Sequence, residues 1–150
     1  MKLLFVCTGN TCRSCMAEGI AKAESKKMNI DADFSSAGLF AFAGSYASSN
    51  AARVMDEMGI DISCHITRPL TQELVDASDL ILTMTGSQKA SIVSHFKNAE
   101  KKVYTLLEYV GEGGDIEDPI GGDIDVYRNC AVQLKKSILE LLKKIKEGGH

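Results

Sequence analysis

A short apolar run, Lys2-Leu3-Leu4-Phe5-Val6, leads at once into Cys-Thr-Gly-Asn-Thr-Cys-Arg-Ser and then into Met16-Ala17-Glu18-Gly19-Ile20-Ala21-Lys22-Ala23. The first segment has the length and bulk of a buried strand. The last has helical composition, with Glu18 and Lys22 one turn apart as a favourable pair. Residues 7–14 therefore occupy the turn from a first strand into a first helix. Unpaired N–H groups at a helix start point into such a turn, and the helix dipole adds positive potential. That combination attracts a tetrahedral oxyanion. Gly9 and Asn10 tolerate positive φ and are expected to curl the loop amides around one centre. Arg13 closes the cradle with a guanidinium fork matched to two phosphate oxygens. Thr8, Gly9, Asn10, Thr11, Cys12, Arg13 and Ser14 are thus the expected phosphate-binding set.

Cys7 stands at the other end of the cradle, six residues before Arg13. A thiol facing N–H donors, a helix start and an arginine is favoured as thiolate. A phosphate held by the loop then has a nucleophile beneath it, aligned for in-line attack. The alternative is an ordinary buried cysteine at a strand end. The catalytic reading is preferred because the motif falls where its chemistry needs it, after a strand and before a helix.

The segment LLFVCTGNTCRSCMAEGIAK resembles the N-terminus of the low-molecular-weight protein tyrosine phosphatases, whose signature is V-C-x-G-N-x-C-R-S-P-M-A-E. The resemblance continues through Ser36-Ala37-Gly38, Gly59-Ile60-Asp61-Ile62-Ser63, Asp79-Leu80-Ile81-Leu82 and Asp118-Pro119, covering nearly the whole chain. Cys15 departs from it, standing where the family usually has proline. The resemblance implies that the Ser14 hydroxyl stabilises the Cys7 thiolate. It also implies that Ser36 bonds Asn10 and holds it in a strained conformation, and that Phe40 forms an aromatic wall of the substrate slot. Asp118 matches the family's general acid, by its Asp-Pro context and its place before the last helix. No metal or cofactor is expected.

A chain of 150 residues fits one phosphatase domain over 1–150, with room for a core that needs no staples. The net charge of −3, without a basic run or basic–aromatic patch, argues against nucleic-acid binding. Apolar stretches are too short to cross a bilayer, and Leu3 to Val6 is too short for a signal peptide, so a cytoplasmic location without membrane association is expected. Five cysteines in such a chain read as thiols. Cys64 and His65 are adjacent, which is not zinc-ligand spacing. Cys7 and Cys12, five residues apart in one tight loop, are candidates for a reversible redox bond.

Further along, Asp33 to Ser36 reads as a second strand and Leu39 to Gly44 as an apolar loop. Ser48 or Ser49 caps a helix with Ala51, Val54, Met55 and Met58 at helical spacing, stopped by Gly59. A shorter helix follows Pro69 and Thr71. Leu80 to Met84 is the third strand, Ser87 to Phe96 a helix with Ile92, Val93 and Phe96 inward, and Val103 to Leu106 the fourth strand. His65 and His95 read as structural or solvated, with His65 the better placed to face the site. GEGGDIEDPIGG, residues 111–122, has five glycines and is expected to be a long mobile loop. Asp123 caps the last helix, in which Tyr127, Ala131, Leu134, Ile138, Leu141 and Ile145 form the buried face. Strand and helix alternate, so the expected fold is α/β: a doubly wound, four-stranded parallel sheet with helices on both faces, flavodoxin-like. Ligand belongs at the carboxyl ends of its strands, where Cys7 lies.

The expected reaction is two-step: Cys7 attacks phosphorus to form a phosphocysteine, and water then releases phosphate, with Asp118 acting first as acid and then as base. Phosphorylated proteins are the expected substrates, and inorganic phosphate or similar oxyanions the product or inhibitor. Tyrosine-directed members typically carry an aliphatic residue at the Thr11 position and aromatic residues after Asp-Pro. Here Thr11 is polar and Ile120-Gly121-Gly122 follows Asp118-Pro119. That combination is similar to the bacterial protein-arginine phosphatase branch, although Ile120 stands where that branch tends to have Phe. Thr11, Phe40 and Ile120 are the expected substrate contacts, and phosphoarginine is favoured over phosphotyrosine. Arsenate reduction is disfavoured, because Thr83 to Ala90 lacks the extra cysteines it needs. A non-enzymatic phosphate-binding or phosphocysteine-carrier domain would have no use for Asp118.

Overall fold

The computed structural model describes residues 1–148; the last two residues of the expected 1–150 domain lie outside the described residues. Four strands form one sheet: β1 (Lys2–Cys7), β2 (Asp33–Gly38), β3 (Leu80–Thr83) and β4 (Val103–Thr105). Their order is β2-β1-β3-β4 and all neighbours are parallel. Six helices complete the described chain: α1 (Arg13–Lys27), α2 (Ser49–Glu57), α3 (Gln72–Ala77), α4 (Gly86–His95), α5 (Leu106–Tyr109) and α6 (Ile124–Lys146).

Alternation along β1 builds the two cores, because successive side chains of a strand leave on opposite faces. Leu3, Phe5 and Cys7 join Met16 and Ile20 of α1, Val54 and Met55 of α2, and Leu134 and Ile138 of α6. Leu4 and Val6 join Ile81, Val75 of α3 and Ile92 of α4. Each of the larger side chains in these clusters contributes roughly 1.5–3 kcal/mol by leaving water. The doubly wound parallel sheet is as expected. Its strand order reverses beside β1, since the chain runs outward to β2 and then returns to β3 on the other side. The crevice above the carboxyl end of β1 is thus the switch point where such sheets bind ligand.

Several boundaries differ from expectation in ways that bear on the site. Helix α1 begins at Arg13 rather than Met16, so Arg13, Ser14 and Cys15 form its first turn. Strand β2 runs on to Gly38, where its parallel pairing with Cys7 brings it against the loop that follows β1. Strand β4 stops at Thr105, because Thr105 and Glu108 close a capping box that starts α5 there. Val93 is 39% exposed rather than inward. The 111–122 loop is not free along its length, since Ile116 is fully buried and its amide donates to the Met84 carbonyl at 2.9 Å. Asp123 caps α6, accepting from the Asp125 and Val126 amides.

Candidate active site

Cys7 ends β1, and the chain turns through Thr8 to Cys12 before α1 begins. No backbone carbonyl among the described residues accepts from the amides of Gly9 to Cys12. Their N–H groups, with the first-turn amides of α1, are therefore available to one anion above Cys7. Of the two residues expected at positive φ, only Asn10 is so placed, at +59°; Gly9 is not. Asparagine tolerates this left-handed region better than most residues, and the neighbours of Asn10 hold it there. Asn10 Nδ2 donates to Ser14 Oγ at 2.9 Å and to Ser36 Oγ at 3.0 Å. Its Oδ1 accepts from the Arg68 amide at 3.1 Å, and its carbonyl lies 2.7 Å from His65 Nε2.

The Cys7 sulfur lies 2.8 Å from Ser14 Oγ. Both side chains are buried, so each hydrogen bond in the chain Ser36–Asn10–Ser14–Cys7 is of the kind whose loss leaves an unsatisfied polar atom, about 1–3 kcal/mol. Gly38 is required here by close approach. A Cβ on it would sit 2.7 Å from the Thr8 carbonyl oxygen and 2.9 Å from the Asn10 amide nitrogen, both backbone atoms.

Arg13 is buried, and its guanidinium bridges to the 111–122 loop. Nη1 donates to the Ile116 carbonyl at 2.8 Å, and Nη2 lies 3.5 Å from Asp118 Oδ2. The carboxylate of Asp118 accepts from the Ile120 amide at 3.0 Å, which fixes its rotation just before the proline-led turn. The structure thus brings Asp118, more than a hundred residues further along the chain, to the end of the sheet that carries Cys7, Arg13 and Ser14. Phe40 and Ile120 are 76% and 61% exposed. The Phe40 amide donates to the Thr8 carbonyl at 2.9 Å, so its loop is stitched to the cradle. Thr11 is half-buried, with Oγ1 3.6 Å from Cys12 Sγ.

Cys12 is buried as the N-cap residue of α1. Its sulfur lies 3.5 Å from both Ser48 Oγ and Tyr127 OH. Burial, and then the bond to Cys12, push the Tyr127 hydroxyl pKa up to about 12. Cys15 donates to the Cys12 carbonyl at 3.2 Å, and burial raises its thiol well above the ordinary value.

Five further residues shape the site without having been anticipated in these roles. His65 and Arg68 hold Asn10 from behind, and Arg68 Nε also donates to the Ser36 carbonyl at 3.0 Å. Glu18 accepts from Ser36 Oγ at 2.6 Å. Gln88 donates to Thr8 Oγ1 at 3.2 Å, and Tyr127 meets Cys12. No spacing rule connects them to the loop: Glu18 lies on α1, His65 and Arg68 share the segment between α2 and α3, Gln88 is on α4 and Tyr127 on α6. The resemblance over Gly59–Ser63, just before His65, was the nearest signal. His95 stays exposed near Ser91 and Ser94, as expected. Among the described residues no cluster of His, Cys, Asp and Glu is suited to a metal, and no helix is long and apolar enough to cross a membrane.

The family model for low molecular weight phosphotyrosine protein phosphatase matches residues 2–150. A protein-arginine-phosphatase of Bacillus subtilis is 40% identical over 148 residues, covering 98% of each chain. The low molecular weight protein-tyrosine-phosphatase PtpB of Staphylococcus haemolyticus is 45% identical over 134 residues, covering 89% of this chain and 92% of that one. A solved structure of the YwlE arginine phosphatase, a Cys-to-Ser mutant with phosphorylated active-site serine, aligns with a TM-score of 0.95 at 40% identity, covering 97% and 96% of the two chains.

Proposed function

The chain belongs to the low molecular weight phosphotyrosine protein phosphatase family and is a cysteine-based phosphatase; within it, we propose that it removes phosphate from arginine side chains of proteins through a phosphocysteine intermediate. Phosphate enters with its oxygens toward the loop amides and the Arg13 guanidinium. The Cys7 sulfur attacks phosphorus as the bond to the leaving nitrogen breaks, and Asp118 gives that nitrogen its proton. Asp118, now a carboxylate, takes a proton from water as the water attacks the phosphocysteine, which frees inorganic phosphate and regenerates the thiolate. The loop amides are preorganised for the charge on the equatorial oxygens, the largest source of rate in such sites. The reading takes residues 1–150 as one phosphatase domain without metal or cofactor.

The observation that carries the mechanism is the convergence on one loop of a Cys7–Ser14 pair at 2.8 Å and an Arg13–Asp118 pair at 3.5 Å. A related mutant enzyme bearing phosphate on its active-site serine supports covalent transfer to that position. Arginine preference is supported by Thr11, whose hydroxyl can pair with a guanidinium as an aliphatic side chain cannot. A further support is the Asp118-Pro119-Ile120-Gly121-Gly122 turn, which offers no aromatic partner to sandwich a phenol ring against Phe40. The relative from Staphylococcus, named as a tyrosine phosphatase, favours phosphotyrosine as the second reading. Turnover of phosphoarginine and phosphotyrosine peptides with matched flanks separates the two. A higher kcat/KM for phosphoarginine is expected; the reverse order makes the protein a tyrosine phosphatase. Loss of all turnover in Cys7→Ser, with phosphate binding retained, is expected of the covalent mechanism, and residual turnover overturns it.

A further inference from the structure

Between Gly111 and Gly122, five glycines leave the segment that carries Asp118 with little stiffness of its own, and three of them adopt positive φ. We infer that Asp115 is the positioning residue that sets where Asp118 stands. The inference rests on the assignment of Asp118 as proton donor.

The segment meets the body of the protein at the turn from β3 into α4. Asp115 Oδ1 accepts from the Gly86 amide at 2.9 Å. One residue on, the Ile116 amide donates to the Met84 carbonyl at 2.9 Å. Gly86 is the first residue of α4, so its N–H has no partner inside the helix. The Asp115 carboxylate supplies that partner and places a negative charge at the positive end of the helix. The Ile116 side chain is buried, and its carbonyl takes the Arg13 guanidinium at 2.8 Å. Asp118 therefore lies two residues beyond a point held from both sides.

The same turn also touches the phosphate loop. Gln88 Oε1 accepts from the Met84 and Thr85 amides at 3.0 and 3.1 Å, while its Nε2 donates to Thr8 Oγ1 at 3.2 Å. One rigid turn thus registers the acid segment against the cradle. Without Asp115, a single backbone bond, Ile116 to Met84, remains on that side. A misplacement of about 1 Å in a reacting group can cost up to roughly 100-fold in rate. Because the Asp115 side chain bonds neither Cys7 nor the loop amides, and Ile116 keeps its own bonds to Met84 and Arg13, its loss should fall mainly on proton donation.

The experiment measures kcat/KM over aryl phosphates whose leaving groups run from nitrophenol to phenol, together with inhibition by inorganic phosphate. Asp118→Asn is expected to steepen the dependence on the leaving group. Asp115→Ala should steepen it in the same sense, costing less than about twofold with nitrophenyl phosphate and roughly 10-fold with phenyl phosphate, with phosphate inhibition unchanged. Asp115→Asn keeps the acceptor oxygen and should restore most of the loss. Gly86→Pro is compatible with the first position of a helix. It removes the N–H and displaces the carboxylate, and should reproduce Asp115→Ala. Adding Asp115→Ala to Asp118→Asn should cost nothing more. A uniform loss across substrates, no loss at all, or an additive loss in the double variant overturns the inference while leaving Asp118 as the acid. An unchanged slope in Asp118→Asn overturns the acid assignment, and this inference with it.

Discussion

The Ser14 hydroxyl lies 2.8 Å from the Cys7 sulfur and accepts from Asn10 Nδ2 at 2.9 Å. Since Asn10 supplies a hydrogen to the Ser14 oxygen, the hydroxyl's own hydrogen is free to point at sulfur. Ser14 is then placed to donate to the Cys7 sulfur, and Asn10, itself bonded to Ser36, keeps it aimed. Ser14→Ala should lower turnover by roughly 10- to 150-fold, in line with one charge-assisted hydrogen bond of about 1.5–3 kcal/mol. Phosphate inhibition should stay nearly unchanged. Steady-state kinetics beside a phosphate titration check this; equal loss in both would make Ser14 part of the cradle rather than a partner of Cys7.

Gly38→Ala tests the close approach of β2 to the loop. The added methyl would meet two backbone atoms inside 3 Å, and neither can rotate away. Overpacking of this kind costs about 1–3 kcal/mol. A lower Tm and weaker phosphate inhibition are expected together, because the strain falls on Thr8 and Asn10. Thermal melting with and without phosphate measures both.

Thr11→Ile should lower phosphoarginine turnover and spare or raise phosphotyrosine turnover. Removing a hydrogen-bond partner from a site built to recognise a polar group discriminates strongly, so the ratio of the two kcat/KM values should move by at least roughly 10-fold. If both activities fall in parallel, Thr11 is only a loop residue.

Oxidation should proceed through Cys7 and Cys12. Peroxide converts the Cys7 thiolate to a sulfenic acid, and attack by Cys12 sulfur with loss of water forms the disulfide. Cys15 is a weak competitor, since burial keeps it protonated and it is tied to the Cys12 carbonyl. After peroxide, mass spectrometry should map a Cys7–Cys12 link, and reductant should restore activity. Cys12→Ser should recover poorly. Full recovery of that variant, or a mapped Cys7–Cys15 link, refutes the assignment.

Alkaline pH should weaken the fold through its buried thiols. Burial pushes Cys130 up to about 12 and Cys15 well above its ordinary value. In the unfolded chain a thiol ionises near about 8.5, so above that pH the unfolded state loses protons that the folded state retains. Stability from these groups is complete below about 8.5 and declines toward about 12, by up to about 1.4 kcal/mol per pH unit for each thiol. Urea midpoints between pH 7 and 10.5 should fall, and fall less steeply in Cys130→Ala.

Some of this protein is written in short stretches. The proposed phosphate loop could be laid out from Cys7 to Ser14 and its flanks, because strand, turn and helix start are local, and one run of residues holds the candidate nucleophile, amides and guanidinium. Alternation and helical spacing likewise declared the sheet and the faces of α2 and α6. Asp118 could be read from its Asp-Pro context, though only by resemblance.

What local pattern could not decide is how the loop is held. His65, Arg68 and Gln88 carry no signature of their own, and Glu18 enters only through the resemblance; they matter because parallel strand pairing and the crossing beside β1 bring α1, the α2–α3 segment and α4 to one point. The start of α1 at Arg13 was hidden for a related reason. Arg13 and Ser14 look like loop residues, yet buried contacts to Ile116, Asn10 and Cys7 fold them into the first helical turn. The glycine-rich segment read as mobile throughout, but one buried isoleucine and two hydrogen bonds to the β3–α4 turn anchor it. Chain composition sets what a segment can do alone, whereas burial and long-range hydrogen bonds determine which of its conformations survives in the folded protein.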